Sequence, residues 1–307
     1  MGKALLSLAA VLIAAGVAEG YDPLYYNTLT EVLGVTQASG DFGLGFFTAG
    51  SYWETDTTGR DSLYEFSDAL SVIRLSVAGQ YGLTSSHTIG IVLPIFFQLQ
   101  GPGDSTGIGI ADPWITFDGW IERTPQLVGR GALRIPFKGA LESGDYSESD
   151  PHLALDGSLT METPISGSSG PKLRITGGLR YYFWAWDRVP GTARDSADTR
   201  PPVEIHGIGT VVLPVNPELT VHLGLEMATR GETSVRQESG TEGVNGSSFH
   251  QYDLRGGFEL DNSSISLTAD VWYRLGGENT PKEWGIMVSG IGLGLDDIFG
   301  TSGGGSR

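Results

Sequence analysis

Arg130, Arg134 and Lys138 stand four residues apart, and Arg174 and Arg180 six apart, in stretches that are otherwise apolar and rich in glycine. In a β-strand, side chains alternate with period two, so even spacing puts these cations on one face. There they could make a transverse field that orients a polar or anionic solute. Alternatively, they pair with Asp112, Asp118 and Asp156 on flanking segments and stiffen a wall. The structural role is the commoner one, and a constriction would use both.

Other reactive side chains are sparse. The five histidines show neither HxH nor HExxH spacing. His206 and His222 share a phase with Glu204 and Glu226, which reads as a hydrogen-bond network in preference to a metal site. Ser86-His87 and Ser248-Phe249-His250 put serine near histidine, but a hydrolase needs nucleophile, base and orienter to converge in space. The glycine-rich pieces at 107–110 and 290–295 open no helix and are not phosphate loops. The expectation is no enzyme, no metal and no cofactor.

The elements that position these residues are strands. The chain has 46 Gly, 15 Pro, 10% aromatics and no Cys, which suits many strands with turns and leaves no disulfide to staple them. Twelve alternating segments recur, at about 41–52, 66–80, 87–100, 109–121, 128–140, 150–163, 172–186, 202–214, 218–230, 249–261, 264–276 and 284–295. Each is long enough to cross a bilayer at a barrel tilt, which takes about 9–11 residues.

Connections after even-numbered segments are short, such as 81–86 and 215–217. Those after odd-numbered segments, such as 53–65, 141–149, 187–201 and 231–248, are mostly longer and charged. That segregation predicts an all-β, closed, antiparallel up-and-down transmembrane barrel of about twelve strands, with short periplasmic turns and long extracellular loops.

Alternation then points Arg74, Asp112, Asp118, Arg130, Arg134, Lys138, Asp156, Arg174, Arg180, Glu204, His206, Glu226, Arg255 and Arg274 into the lumen. Ile89, Ile91, Leu155, Leu223, Leu225 and Val271 would face lipid. A charge facing hydrocarbon costs about 2–4 kcal/mol at the midplane, so the charged face must be wet or paired. Trp53, Tyr182, Trp184, Trp186, Trp272 and Trp284 fall near the long-loop ends, where an interfacial aromatic rim is expected. Tyr182, Trp184, Trp186 and Trp272, inward by alternation, could also meet aromatic solutes at the mouth, although rim packing is the commoner role. Pro94 and Pro136 fall inside strand patterns and predict a bulge or an early strand end.

The formal net charge is −17, which makes nucleic acid an unsuitable partner because phosphates need a basic face. Acidic and basic residues nearly balance on the inward face, so the excess negative charge belongs to loops and turns. The first residues, MGKALLSLAAVLIAAGVA, read as a cleaved export signal over 1–18: Lys3, an apolar run, then small residues. Residues 19–40 form a periplasmic segment without a clean strand period, either a short helix or a plug. The barrel is expected over 41–299 and a flexible tail over 300–307.

Several short motifs resemble one family. They are Gly79-Gln80-Tyr81-Gly82-Leu83-Thr84 with the strand ending Val92-Leu93-Pro94, then Gly107-Ile108-Gly109-Ile110-Ala111-Asp112-Pro113, then Leu133-Arg134-Ile135-Pro136-Phe137-Lys138-Gly139. Together they cover roughly residues 66–165 and resemble the outer-membrane channels linked with the meta-cleavage pathway of phenol degradation. The resemblance implies a barrel of about twelve strands that passes small, apolar or aromatic molecules, and it implies no catalytic residue. The chain departs from the usual aromatic barrel terminus by continuing past Phe299.

The resulting expectation is an outer-membrane channel for passive transport of small solutes. Its partners would be the lipid bilayer with its outer-membrane lipids and a small-molecule solute. Two other readings stay open. One is a structural or adhesion barrel whose lumen is closed by ion pairs, and the other is a secreted soluble β-sandwich that binds carbohydrate.

Overall fold

The computed structural model describes residues 38–55, 61–101, 106–137, 151–167, 170–188, 196–237, 240–244, 247–261 and 266–292. Its strands are β1 (Ala38–Thr55), β2 (Asp61–Thr84), β3 (His87–Gln100), β4 (Gly107–Ile110), β5 (Trp114–Arg123), β6 (Gln126–Arg134), β7 (Ala154–Pro164), β8 (Lys172–Tyr182) and β9 (Ala185–Arg188). They continue as β10 (Ser196–Arg200), β11 (Glu204–Pro214), β12 (Leu219–Arg230), β13 (Ser234–Gln237), β14 (Gly240–Gly243), β15 (Phe249–Asp261), β16 (Ser266–Glu278) and β17 (Thr280–Gly292).

Thirteen of these form one antiparallel sheet. β1 pairs with both β2 and β17, and β2 pairs with β3, so the sheet has no free edge and closes into a barrel. β4 and β5 share one position beside β3, which makes twelve staves. Closure gives each stave a hydrogen-bonded neighbour on both sides over the height that the strands share, the condition for strands in a bilayer.

The break between β4 and β5 has a local cause. Ala111 N donates to the Pro94 carbonyl at 3.0 Å. The nitrogen and carbonyl of a residue in an antiparallel strand point to the same neighbour, so the N–H that Pro94 lacks is missing on the Ala111 side. Pairing lapses over Ala111-Asp112-Pro113, whereas β2 runs past Pro94 without a register shift. Pro136 has the other expected effect, since β6 stops at Arg134.

The outer face is apolar, with Ile91, Leu155, Leu179, Leu223, Leu225 and Val271 all exposed. The inner positions between them are buried, so β12 alternates strictly from Val221 to Ala228. A sandwich would keep its apolar positions inside. The carbohydrate-binding sandwich is therefore overturned by closure and by this inverted burial.

Three expectations about the ends are corrected. β1 begins at Ala38, so the last three residues of the 19–40 segment belong to the wall. Residues 53–65 are not a long loop, because β1 and β2 stay paired out to Thr55 opposite Asp61. The stretches 187–201 and 231–248 contribute a second, four-stranded sheet, ordered β14-β13-β10-β9, at the long-loop end. Residues 1–37 and 293–307 lie outside the described residues, and with them the export signal and the tail.

Candidate functional site

Neighbouring strands place opposite charges directly across from each other on the inner face. The register sets Asp118 opposite Arg130, Asp156 opposite Arg180, Arg180 opposite Glu204, Glu162 opposite Arg174, and Asp253 opposite Arg274. Directly opposed residues lie close enough for side chains to meet, so the ladder's register sets the ion pairs.

Near the long-loop end, Arg180 Nε lies 3.1 Å from Asp156 and its Nη1 3.3 Å from Glu204. Tyr182 donates its hydroxyl to Glu204 at 2.8 Å. Arg134 is 3.7 Å from Asp112 and donates to the His152 carbonyl at 3.1 Å. The guanidinium carbon of Arg134 stands 5.4 Å from the Tyr182 ring centre and 5.8 Å from Trp114, and Arg180 stands 4.9 Å from Trp114. Arg230 continues the series between Tyr182 and Phe249. Arginine and aromatic rings thus alternate around this arc of wall, and Arg134 and Arg180 are each held by both a ring and a carboxylate.

Across the barrel, Arg274 is fully buried and donates to Asp253 through two nitrogens, at 2.8 and 3.0 Å, while its Nη2 lies 2.9 Å from Glu283. Arg255 pairs with Glu226 beneath the Trp272 ring. Toward the short turns, a string of charges runs from Lys172 through Glu162, Arg174 and Glu259. Arg174 on β8 and Glu259 on β15 meet at 2.9 Å although β11 and β12 lie between their strands. Their side chains therefore cut a chord across the interior. His222 joins that string, 2.6 Å from Asp270 and 3.8 Å from Glu259.

A different lining covers β16, β17 and β1 to β3. Phe47, Ala49, Val72, Phe96, Ala111, Trp272 and Met287 pack there as one buried apolar cluster on the inner side. Gly285 permits it: a Cβ there would collide with the Trp272 ring and approach the Phe46 carbonyl oxygen to 2.7 Å. Gly178 does the same in the charged wall, where a Cβ would overlap the His206 ring and lie 2.7 Å from the Ser158 Cβ.

Arg74, Asp112, Asp118, Asp156, Arg180, Glu204, His206, Glu226, Arg255 and Arg274 are all buried on the inner side, and Arg130, Arg134 and Arg174 nearly so. Lys138 and the side chain of Trp53 lie outside what the structure describes. Trp284 is exposed and meets Phe46 edge-on at 5.6 Å.

The rim reading is corrected for Tyr182 and Trp272 in role and not in phase: they point inward as alternation placed them, but at 2% and 1% exposure they are buried and donate to Glu204 and Glu283. It is corrected also for the phase of Trp184 and Trp186, because β8 ends at Tyr182 and the two-residue period lapses before β9. Trp186 stands 70% exposed on the four-stranded sheet. Glu162, Glu283 and the apolar cluster were not anticipated. Glu162 shares the phase of Asp156 on β7 and was legible. Phe96 was hidden because Phe97 beside it is also apolar.

In the first of the two serine–histidine sets, Ser86 Oγ lies 3.1 Å from His87 Nδ1, a nitrogen that Thr84 Oγ1 also approaches at 2.9 Å. Ser248 donates to Glu278 at 2.8 Å while His250 Nδ1 lies 3.1 Å from the same carboxylate. The serine proton is thus directed at the glutamate and not at the histidine. His206 and His222 take separate carboxylates, Asp156 and Asp270. Among the described residues no three metal-binding side chains converge.

No protein-family model matches the sequence, and no curated protein matches it. Solved structures do match. An outer membrane channel from Pseudomonas putida F1 superposes with a TM-score of 0.62 at 16% identity, over 86% of this chain and 97% of that one. The NanC porin follows at a TM-score of 0.47 and 8% identity, over 82% and 99% of the two chains. A mutant of the TodX monoaromatic hydrocarbon channel gives 0.47 at 9%, over 91% and 95%. Closed ring, inverted burial and superposition agree that this chain has the barrel fold of the Pseudomonas putida outer membrane channel.

Proposed function

We propose that the protein is an outer-membrane channel that passes small solutes passively, with no catalytic step. The observation that carries this reading is the apolar outer face on a closed twelve-stave ring whose inner face bears the charges. Such a ring is at home in a bilayer and puts its polar groups along the axis. The printed description of the Pseudomonas putida structure as a channel supports the same reading.

The burial of the inward charges favours a second reading, in which ion pairs close the lumen and the protein acts through its surface loops. Conductance across a planar bilayer separates the two. A channel gives discrete steps whose size or ion preference changes when Arg134 and Arg174 are replaced by Ala. A barrel of unchanged fold with no steps in either form selects the closed reading.

A further inference from the structure

The outer wall at the long-loop end carries a feature that transport does not use. Tyr181 and Phe183 face outward, about 40% exposed, and meet edge to face at 5.1 Å. Just above them Arg200 donates to the Tyr181 hydroxyl at 3.1 Å. Its guanidinium carbon lies 5.0 Å from the Trp184 ring centre, and that of Arg236 lies 4.5 Å from the same ring. One indole thus contacts both guanidinium groups, and Arg236 is half exposed. Asp198 takes Nη1 of Arg236 at 3.4 Å and leaves the rest of that group for another acceptor.

Below this pair, on the same face, runs an apolar groove of about 740 Å³ lined by Phe117, Ile121, Gly131, Gly157, Leu159 and Leu179, with Gly177 in its floor. Its upper end at Leu179 is one outward position below Tyr181. From there the groove runs toward the short turns, where His87 and Trp120 complete its lining, so its upper end around Leu179, Gly177 and Gly157 is the part that an acyl chain headed at the cation pair would enter.

We propose that this outer wall holds a phosphorylated lipid of the outer leaflet, with the phosphate between Arg200 and Arg236 and an acyl chain in the glycine-lined groove. The inference rests on the membrane reading above. Arginine suits the task because its planar donors match phosphate oxygens in pairs and it stacks on aromatic rings. The position suits it too, since two cations at the top of an apolar belt stand out in a chain of net charge −17.

The test uses the full mature protein in non-ionic detergent. Bisphosphorylated lipid A, its dephosphorylated form and inorganic phosphate are added separately, and the temperature at which the unboiled gel band converts to the unfolded one is followed. Lipid A should raise that temperature by about 5 °C. The Arg200→Gln, Arg236→Gln double variant should keep its folded band yet need about 100-fold more lipid A, about tenfold for each arginine. The lysine variants should fall between. Gly157→Leu with Gly177→Leu should weaken binding without unfolding the barrel, because a Cβ at either glycine meets nothing within 4 Å.

An equal shift from the dephosphorylated lipid, the same shift from inorganic phosphate alone, or an unaltered shift in the double variant would overturn the proposal. If the wild type gives no folded band from the membrane fraction, the membrane reading falls and takes the lipid site with it. A folded band that lipid A does not stabilise removes the lipid site alone.

Discussion

Two arcs of one barrel fill their inner face by opposite means. From β5 through β8 and on to β16, cross-strand pairs such as Asp156–Arg180–Glu204 and Asp253–Arg274–Glu283 occupy the interior. From β17 through β3, Phe47, Val72, Phe96 and Met287 do so, with Trp272 as the joint between the two arcs. The outer faces of both arcs are alike and apolar. The lesson is that the lipid fixes the outside, whereas the inside is free to differ: one arc is held by partners and the other by volume.

The sharpest way to break the contrast is to remove one partner from the charged arc. Arg274→Leu should cost about 3–5 kcal/mol, because it leaves Asp253 and Glu283 buried without their cation. Unfolding of the detergent-held barrel in urea, followed by gel mobility, would show it. A cost below about 1 kcal/mol would mean that water already screens this arc.

Phe96→Ala in the apolar arc should come next, at about 3 kcal/mol, and Phe96→Leu should recover most of it, since the loss follows the volume removed. The charged arc should not grade by volume. There the double change Arg130→Leu with Asp118→Leu should cost less than either single change, because removing both partners leaves no uncompensated charge. An additive double variant would contradict the pairing.

The smallest effect belongs outside both arcs. Asp198→Asn breaks an ion pair whose side chains are 42% and 53% exposed and should change stability by less than about 0.5 kcal/mol, since solvent screens it. A large change there would mean that the four-stranded sheet braces the barrel.

The two arcs were unequally legible in the sequence. Arginine and aspartate on every second position of an apolar strand have no other use than an inward face, so Asp118, Arg130, Asp156 and Arg180 could be placed without a structure. The apolar arc could not be resolved, because at its centre β1 to β3 carry apolar residues on both faces. Phe46 beside Phe47, Val72 beside Ile73, and Phe96 beside Phe97 give alternation nothing to grip.

The four-stranded sheet was missed for a different reason. Its strands are four or five residues long, rich in Ser, Thr, Gly, Asp and Arg, and they have no apolar face to signal a period. Tyr182 and Trp272 were legible as inward, but rim packing was preferred to the hydrogen bonds that they make to Glu204 and Glu283.

A closed barrel in the outer membrane underlies the channel, the lipid site and the contrast between the two arcs. Cell fractionation, with gel mobility of the extracted protein unboiled against boiled, tests that directly. The expected result is recovery in the outer-membrane fraction with a faster unboiled band. A protein that stays soluble without detergent and shows no mobility shift would contradict it.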